Sequence, residues 1–229
     1  MIIDQLILSE RKSITLTIES DGKLVVRAPT RLPQREIQHF VDEHAEWVRE
    51  KRAYLEEHPP AVKHHYKSGE HFTFLGQPVR LEVVSRAARR QPLRYLPANG
   101  SSEAVFELVK TTQAQARELL VSWYKKQARK VCTERVTTLA KKHGFRYTRL
   151  RITSARTRWG SCSSKGTLSF TWRLAMLPPE IIDYVVIHEL VHTVEHNHSK
   201  KFWGGVEALV PDYKKHRTWL KKNSGKFIF

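Results

Sequence analysis

The chain has 229 residues, 40% of them hydrophobic and six of them Trp, which is enough to bury a core and too apolar for a disordered arm. No window reaches the roughly 18 unbroken apolar residues of a membrane span, and the N-terminus carries Asp4 where a secretory signal would be positive. The formal net charge of +17 is uneven, since residues 61–229 hold 31 Lys or Arg against 12 Asp or Glu, a field that attracts nucleic acid, nucleotides or acidic tails.

In chain order, "SITLTIES" and "KLVVRAP" read as strands around an Asp-Gly hairpin signal, and "LPQREIQHFVDEHAEWVREKRAYLEE" reads as one amphipathic helix. Pro59 and Pro60 mark a linker. "HFTFLGQPVRLEVVS" and "AVFELV" are further strands, with "LPANGSSE" a loop. A long helix spans about Gln113 to His143, and Gly144 follows where a left-handed cap belongs. "RLRITSARTRWGSCSSKGTLSFTWRLAML" reads as two strands around a small-residue loop at Gly160 to Gly166. "PPEIIDYVVIHELVHTVEH" opens on prolines and is apolar on most sides, as a buried helix is. Ser199 is placed to cap a helix bearing Phe202, Trp203 and Val206, and "PDYKKHRTWLKK" makes a last basic helix. The pattern predicts an α+β protein with a β-rich portion with one helix over 1–110 and a second portion over 111–229. Cys132 and Cys162 show no CxxC or framework spacing, which points to a reducing compartment and a cytoplasmic protein.

The chemistry concentrates in "HELVHTVEHNH", residues 188–198. On a helix His188 and His192 lie one turn apart and can face one ion, while Glu189 sits about 100° round, near a bound water without being a ligand. A catalytic zinc needs three protein ligands and an open position. The third ligand is His198 or its rival His196; spacing favours His198, provided the helix stops and turns back, with Asn197 suited to a left-handed stop. Asp183 and Glu195 are candidates to orient the imidazoles. Arg156, Arg158, Arg173 and Tyr213 are candidates for substrate binding and for stabilising an oxyanion. Trp159, Trp172, Phe202 and Trp203 are either core or pocket lining, and Cys162 is a weaker candidate ligand.

The run "TRWGSCSSKGTLSFTWRL…PPEIIDYVVIHELVH…NHSKKFWGGVEALVPDY" resembles the YgjP-like metallopeptidase family, relatives of the SprT-like and Spartan proteases. The match is dense from about Arg149 to Leu220. The resemblance implies zinc on His188, His192 and His198, with Glu189 as general base. It also implies a zincin-like core, in which the HExxH helix lies beside a small antiparallel sheet whose edge strand, here "GTLSFTW", pairs with an extended peptide. Asn is common in the family where this chain has Thr171.

These readings converge on a zinc-dependent hydrolase acting on peptide or protein, with manganese or iron as alternative metals. A second reading keeps the metal and makes Lys165, Arg156, Arg158 and Arg173 a triphosphate site, giving a nucleoside triphosphate phosphohydrolase or pyrophosphatase. A third makes the zinc structural in a nucleic-acid-binding protein that uses the basic C-terminal region, although three His with a flanking Glu look more like an open site than a closed one.

Overall fold

The computed structural model of the chain describes residues 1–19, 21–57, 64–85, 91–100 and 102–227. Two compact units emerge: Met1–Val62 with Lys221–Lys226, and Lys63–Leu220 with Phe227–Phe229. The division expected at 110 from the pattern of elements differs from this one, and the linker at Pro59 and Pro60 lies outside the described residues.

The first unit carries β1 (Gln5–Ser9), β2 (Thr15–Ile18), β3 (Leu24–Pro29), α1 (Gln34–Glu43) and α2 (Ala45–Glu57). Its sheet has the order β1-β3-β2, with β3 central, parallel to β1 and antiparallel to β2. Centrality matches sequence, since Leu24, Val25, Val26 and Ala28 are fully buried. The Asp-Gly hairpin forms, with Gly22 at φ 84° and Lys23 N donating to Asp21 Oδ1. The helix expected to run unbroken is interrupted at His44, whose φ/ψ of −99°/18° leaves the helical region and whose ring Nδ1 lies 2.8 Å from Phe40 O.

The second unit contains two sheets and the remaining helices. β4 (His71–Phe74), β5 (Gln77–Val84), β6 (Leu93–Leu96) and β7 (Ala104–Val109) form a sheet of order β4-β5-β7-β6, in which β5 and β7 run parallel. A 3-10 turn over Lys110–Gln115 leads into α3 (Ala116–His143), which Gly144 terminates at φ 74°. The buried stripe of α3 is Leu120, Tyr124, Ala128, Cys132, Val136 and Leu139, a 3-4 spacing that faces both sheets' cores. This shared packing joins β4–β7 to the C-terminal half: Trp123 meets Phe106 edge-on at 4.7 Å and Phe74 at 5.0 Å, and Tyr124 OH donates to Thr73 O.

β8 (Arg149–Thr153), β9 (Gly160–Cys162) and β10 (Thr167–Thr171) follow in the order β8-β10-β9. β10 is therefore the central strand, parallel to β8 and antiparallel to β9. Two expectations are corrected: the sheet is mixed, not antiparallel, and "GTLSFTW" is not its edge. The small-residue loop of the sequence reading itself contributes the edge strand β9.

A 3-10 turn over Trp172–Met176 then delivers α4 (Pro179–Val191), followed by α5 (Lys200–Leu209), α6 (Tyr213–Asn223) and a short 3-10 turn. The β4–β5 turn fixes the entrance of α4, with Leu75 N donating to Ala175 O and Gly76 N to Met176 O. Gly76, at φ 77°, approaches so closely that a Cβ there would stand 3.0 Å from Pro178 Cα. α4 is buried along its length from Ile181 to Val191, with Asp183 and His188 the half-buried exceptions. No described helix is long and apolar enough to cross a membrane.

Candidate metal centre

The last turn of α4 carries His188 and Glu189, and His192 caps it at φ −64°, ψ −15°. The chain then turns back through tight bonds: Thr193 N to Leu190 O, Val194 N to Val191 O and Glu195 N to Val191 O. No left-handed residue is used, because Asn197 does not take positive φ, which corrects the expected stop. Ser199 caps α5 by accepting from Phe202 N, as its position predicted. The reversal brings His198 over the helix end.

The result is a convergence of three imidazoles. His198 Nε2 lies 3.2 Å from His192 Nε2 and 3.2 Å from His188 Nε2. An ion at the usual zinc–imidazole bond length in tetrahedral geometry separates its nitrogens by about 3.3 Å, so the donor set fits such an ion. His196 is exposed and stands outside the cluster. The ring orientations are fixed from behind. His192 Nδ1 lies 3.0 Å from Glu195 O; a carbonyl only accepts, so Nδ1 carries the proton and Nε2 keeps its lone pair. His192 stacks on Phe202 at 4.3 Å and His198 on Trp203 at 5.6 Å, while Trp203 stacks in turn on Tyr213 at 5.2 Å.

Burial favours the neutral form of His188 and His192. The His188 pKa is pushed down to about 3, first by burial and then by His192, His198 and Arg217. His192 is lowered by burial against the opposing bond to Glu195 O. Glu189 moves the other way, pushed up to about 8 by burial although the charge of Arg158 opposes the rise. Its Oε2 finds no hydrogen-bond partner among the described residues, and neither does His188 Nδ1. The unpartnered Glu189 Oε2, in the cleft with the three imidazoles, leaves an acceptor free for a bound water or ligand.

The opposite wall is β9. A Cβ added at Gly160 would lie 2.5 Å from Glu189 Oε1, so only glycine lets the strand press against that carboxyl. A cleft of about 410 Å³ runs between Gly160, Ser161, Cys162 and Ser164 on one side and the three histidines and Glu189 on the other. A smaller cavity of about 200 Å³ adjoins Glu189, walled by Trp159, Tyr184, Val185 and Leu220.

The remaining candidates divide. Arg158 is exposed and its charge reaches Glu189. Arg156 is exposed and acts on Arg173, not on the histidines. Arg173 is 4% exposed, lies over the Trp172 ring at 4.2 Å and directs Nη1 toward Ser154 O and Ala155 O. It clamps the β8–β9 connection and lines neither cavity. Tyr213 is buried behind Trp203. Lys165 sits at the other end of the sheet, its carbonyl held by Thr148. Of the four cations proposed for a triphosphate, Arg156 acts on Arg173 and Arg158 follows two residues on, while Arg173 is buried and Lys165 stands apart at the Thr148 end. Trp172 is core, and Asp183 is bound to Arg135 instead of orienting an imidazole. Glu195 does the orienting, through its backbone carbonyl. Cys162 lines the cleft with its thiol pushed up by burial and by Glu189, and stands outside the ligand cluster.

Three residues escaped the sequence reading. Gly160 was signalled by a glycine between larger residues, the mark of close backbone approach. Tyr184 lies one turn before His188 on the same face, 6.1 Å from it ring to ring. Arg217, whose guanidinium lies 5.0 Å over Trp203, comes from α6 and carried no local signal.

A family model described as YgjP-like, metallopeptidase domain, matches residues 12–223. Among solved structures, the metallopeptidase zymogen of Pyrococcus abyssi abylysin is 25% identical, over 40% of this chain and 97% of that one, with a TM-score of 0.36. A Wss1 mutant from Saccharomyces cerevisiae is 24% identical, over 41% of this chain and 77% of that one, with a TM-score of 0.33. No curated protein matches the chain.

Proposed function

The chain belongs to the YgjP-like metallopeptidase family, and from that premise we propose that it is a zinc-dependent peptidase in which His188, His192 and His198 hold the metal and Glu189 is the general base. The observation that carries the reading is that His198 Nε2 lies 3.2 Å from both His188 Nε2 and His192 Nε2, beside a buried carboxyl with one oxygen unpartnered among the described residues. When bound, a zinc ion supplies a Lewis acid and an acidified water. Glu189, next to His188 and lining the same cleft, would take a proton from that water and return it to the leaving amine. β9 pairs only with β10 among the described strands, so its outer edge beside the cleft offers backbone groups to an extended peptide. Arg158, the cation felt by Glu189, is the best candidate among the arginines for meeting negative charge at the cleft.

The test compares wild type, His192→Ala and Glu189→Gln, each loaded with zinc and mixed with an unfolded protein. His192→Ala is expected to lose metal. Glu189→Gln is expected to keep one metal per chain and to release peptides about 10²- to 10⁴-fold more slowly. Full metal in His192→Ala overturns the ligand assignment, and wild-type cleavage by Glu189→Gln overturns the base.

A further inference from the structure

From residue 119 to residue 179 the chain holds fourteen Lys or Arg and a single acidic residue, Glu134. The fold uses two of the fourteen, Arg135 and the buried Arg173 over Trp172, and leaves the rest unexplained. Only Arg135 of the fourteen forms an ion pair among the described residues, and its partner, Asp183, lies outside the segment.

The sheet β8-β10-β9 sorts its side chains by face. Register pairs Leu150 with Leu168, Ile152 with Phe170, Phe170 with Gly160 and Leu168 with Cys162; this is the face that meets α4, because Gly160 touches Glu189. The alternate positions pair Arg149 with Thr167, Arg151 with Ser169 and Ser169 with Ser161. That outer face holds guanidinium and hydroxyl groups, with no apolar side chain and no carboxylate on these five positions. Arg149 and Arg151 are both exposed, about 7 Å apart along one strand. At one end Thr148 bonds the carbonyl of Lys165, itself exposed; at the other lie exposed Arg156 and Arg158, and the charge of Arg158 reaches Glu189. The track spans about 15 Å, the length of β8.

We propose that this outer sheet face binds the sugar-phosphate backbone of a nucleic acid without reading its bases. A protein interface is built on an apolar, aromatic centre with a polar rim, and this face has no such centre. Cations interleaved with hydroxyl donors suit phosphate oxygens, which take most hydrogen bonds in protein–nucleic acid contacts. The face carries no aromatic ring on which unpaired bases could stack, so a duplex backbone is the fitting ligand. The surface stands on the sheet alone and holds whether or not the cleft cleaves peptides.

The test uses the full chain and a labelled 20-base-pair duplex of mixed sequence, titrated by fluorescence anisotropy between 50 and 200 mM NaCl. With four phosphates neutralised, log Kd against log salt should have a slope of about 3.6, roughly a hundredfold weakening across that range. Arg149→Gln with Arg151→Gln should lower the slope by about 2 and weaken binding at 50 mM by more than tenfold. Lys214→Gln with Lys215→Gln removes two exposed charges from α6 and should change affinity less than threefold. Equal losses in both pairs would mean a diffuse field and overturn the assignment. A poly-glutamate chain of equal charge that competes as well as the duplex would assign the face to acidic protein instead. Circular dichroism on each variant separates lost binding from lost fold.

Discussion

A methyl group added at Gly160 would meet three atoms of Glu189 within 2.8 Å. Neither neighbour can yield freely. β9 is held by β10 on one side, and Glu189 sits on a buried helix whose rotamers are packed. Gly160→Ala must therefore displace the carboxyl or the strand. Overpacking of this kind costs about 1–3 kcal/mol, and the atom displaced is the one proposed to move the proton. The expected outcome is a lower melting temperature together with at least a tenfold loss of cleavage, while zinc content stays at the wild-type level. Gly204→Ala, where an added methyl meets nothing within 4 Å, should leave cleavage and zinc content near wild type and should not lower the melting temperature. Retained cleavage in Gly160→Ala would mean that the carboxyl has room the geometry does not reveal.

At the scale of elements, what the sequence discloses depends on whether the signal is local. The histidine spacing, the capping serine and the glycine stop of α3 are each written in neighbouring residues, and the fold holds the three imidazoles together, Ser199 at the start of α5 and Gly144 at the end of α3. β9 was read as loop because Gly-Ser-Cys has no strand preference of its own; it becomes a strand only by pairing with β10. The alternation in β10 marked a strand but said nothing of its neighbours, so its central position was invisible. The compact unit that begins at Lys63 continues past residue 110 because the stripe on α3 packs the sheets before and after that point into one core. Glu70 illustrates the same dependence on tertiary context. Its carboxylate accepts from the amides of His65 and Lys67 at 3.0 and 2.9 Å and lies 3.1 Å from His64 Nδ1, pinning the approach to β4. Burial alone would raise its pKa, but these bonds outweigh it and the net shift is downward from 4.5. A folded pKa below the unfolded one gives stability that is complete above about 4.5 and fades as pH falls through the folded value. Glu70→Gln should therefore lower the melting temperature at pH 7, and the gap to wild type should narrow steadily below pH 4.5. A gap that stays constant down to pH 3 would show that the charge contributes nothing.

For the molecule as a whole, a net charge of +17 works against the compact state. The pairs available to offset it are mostly exposed, as at Lys215–Asp212 and Arg80–Glu82, and such pairs contribute little. Repulsion is densest where fourteen cations meet one acid. Screening should relieve it: the Debye length falls from about 30 Å at 0.01 M salt to about 8 Å at 0.15 M. The melting temperature should accordingly rise between 10 and 150 mM NaCl in a buffer without phosphate. Arg149→Gln with Arg151→Gln should melt higher than wild type at 10 mM and converge on it at 150 mM, because the two guanidiniums stand on one strand with no carboxylate partner among the described residues. A melting temperature that falls with salt would mean that attractive pairs, Arg135 with Asp183 foremost, outweigh the repulsion. The double variant would then melt no higher than wild type at either salt. If the rise is seen, the same two side chains weaken the free fold and strengthen its hold on a polyanion, and added duplex should raise the wild-type melting temperature at 10 mM NaCl more than it raises that of the variant.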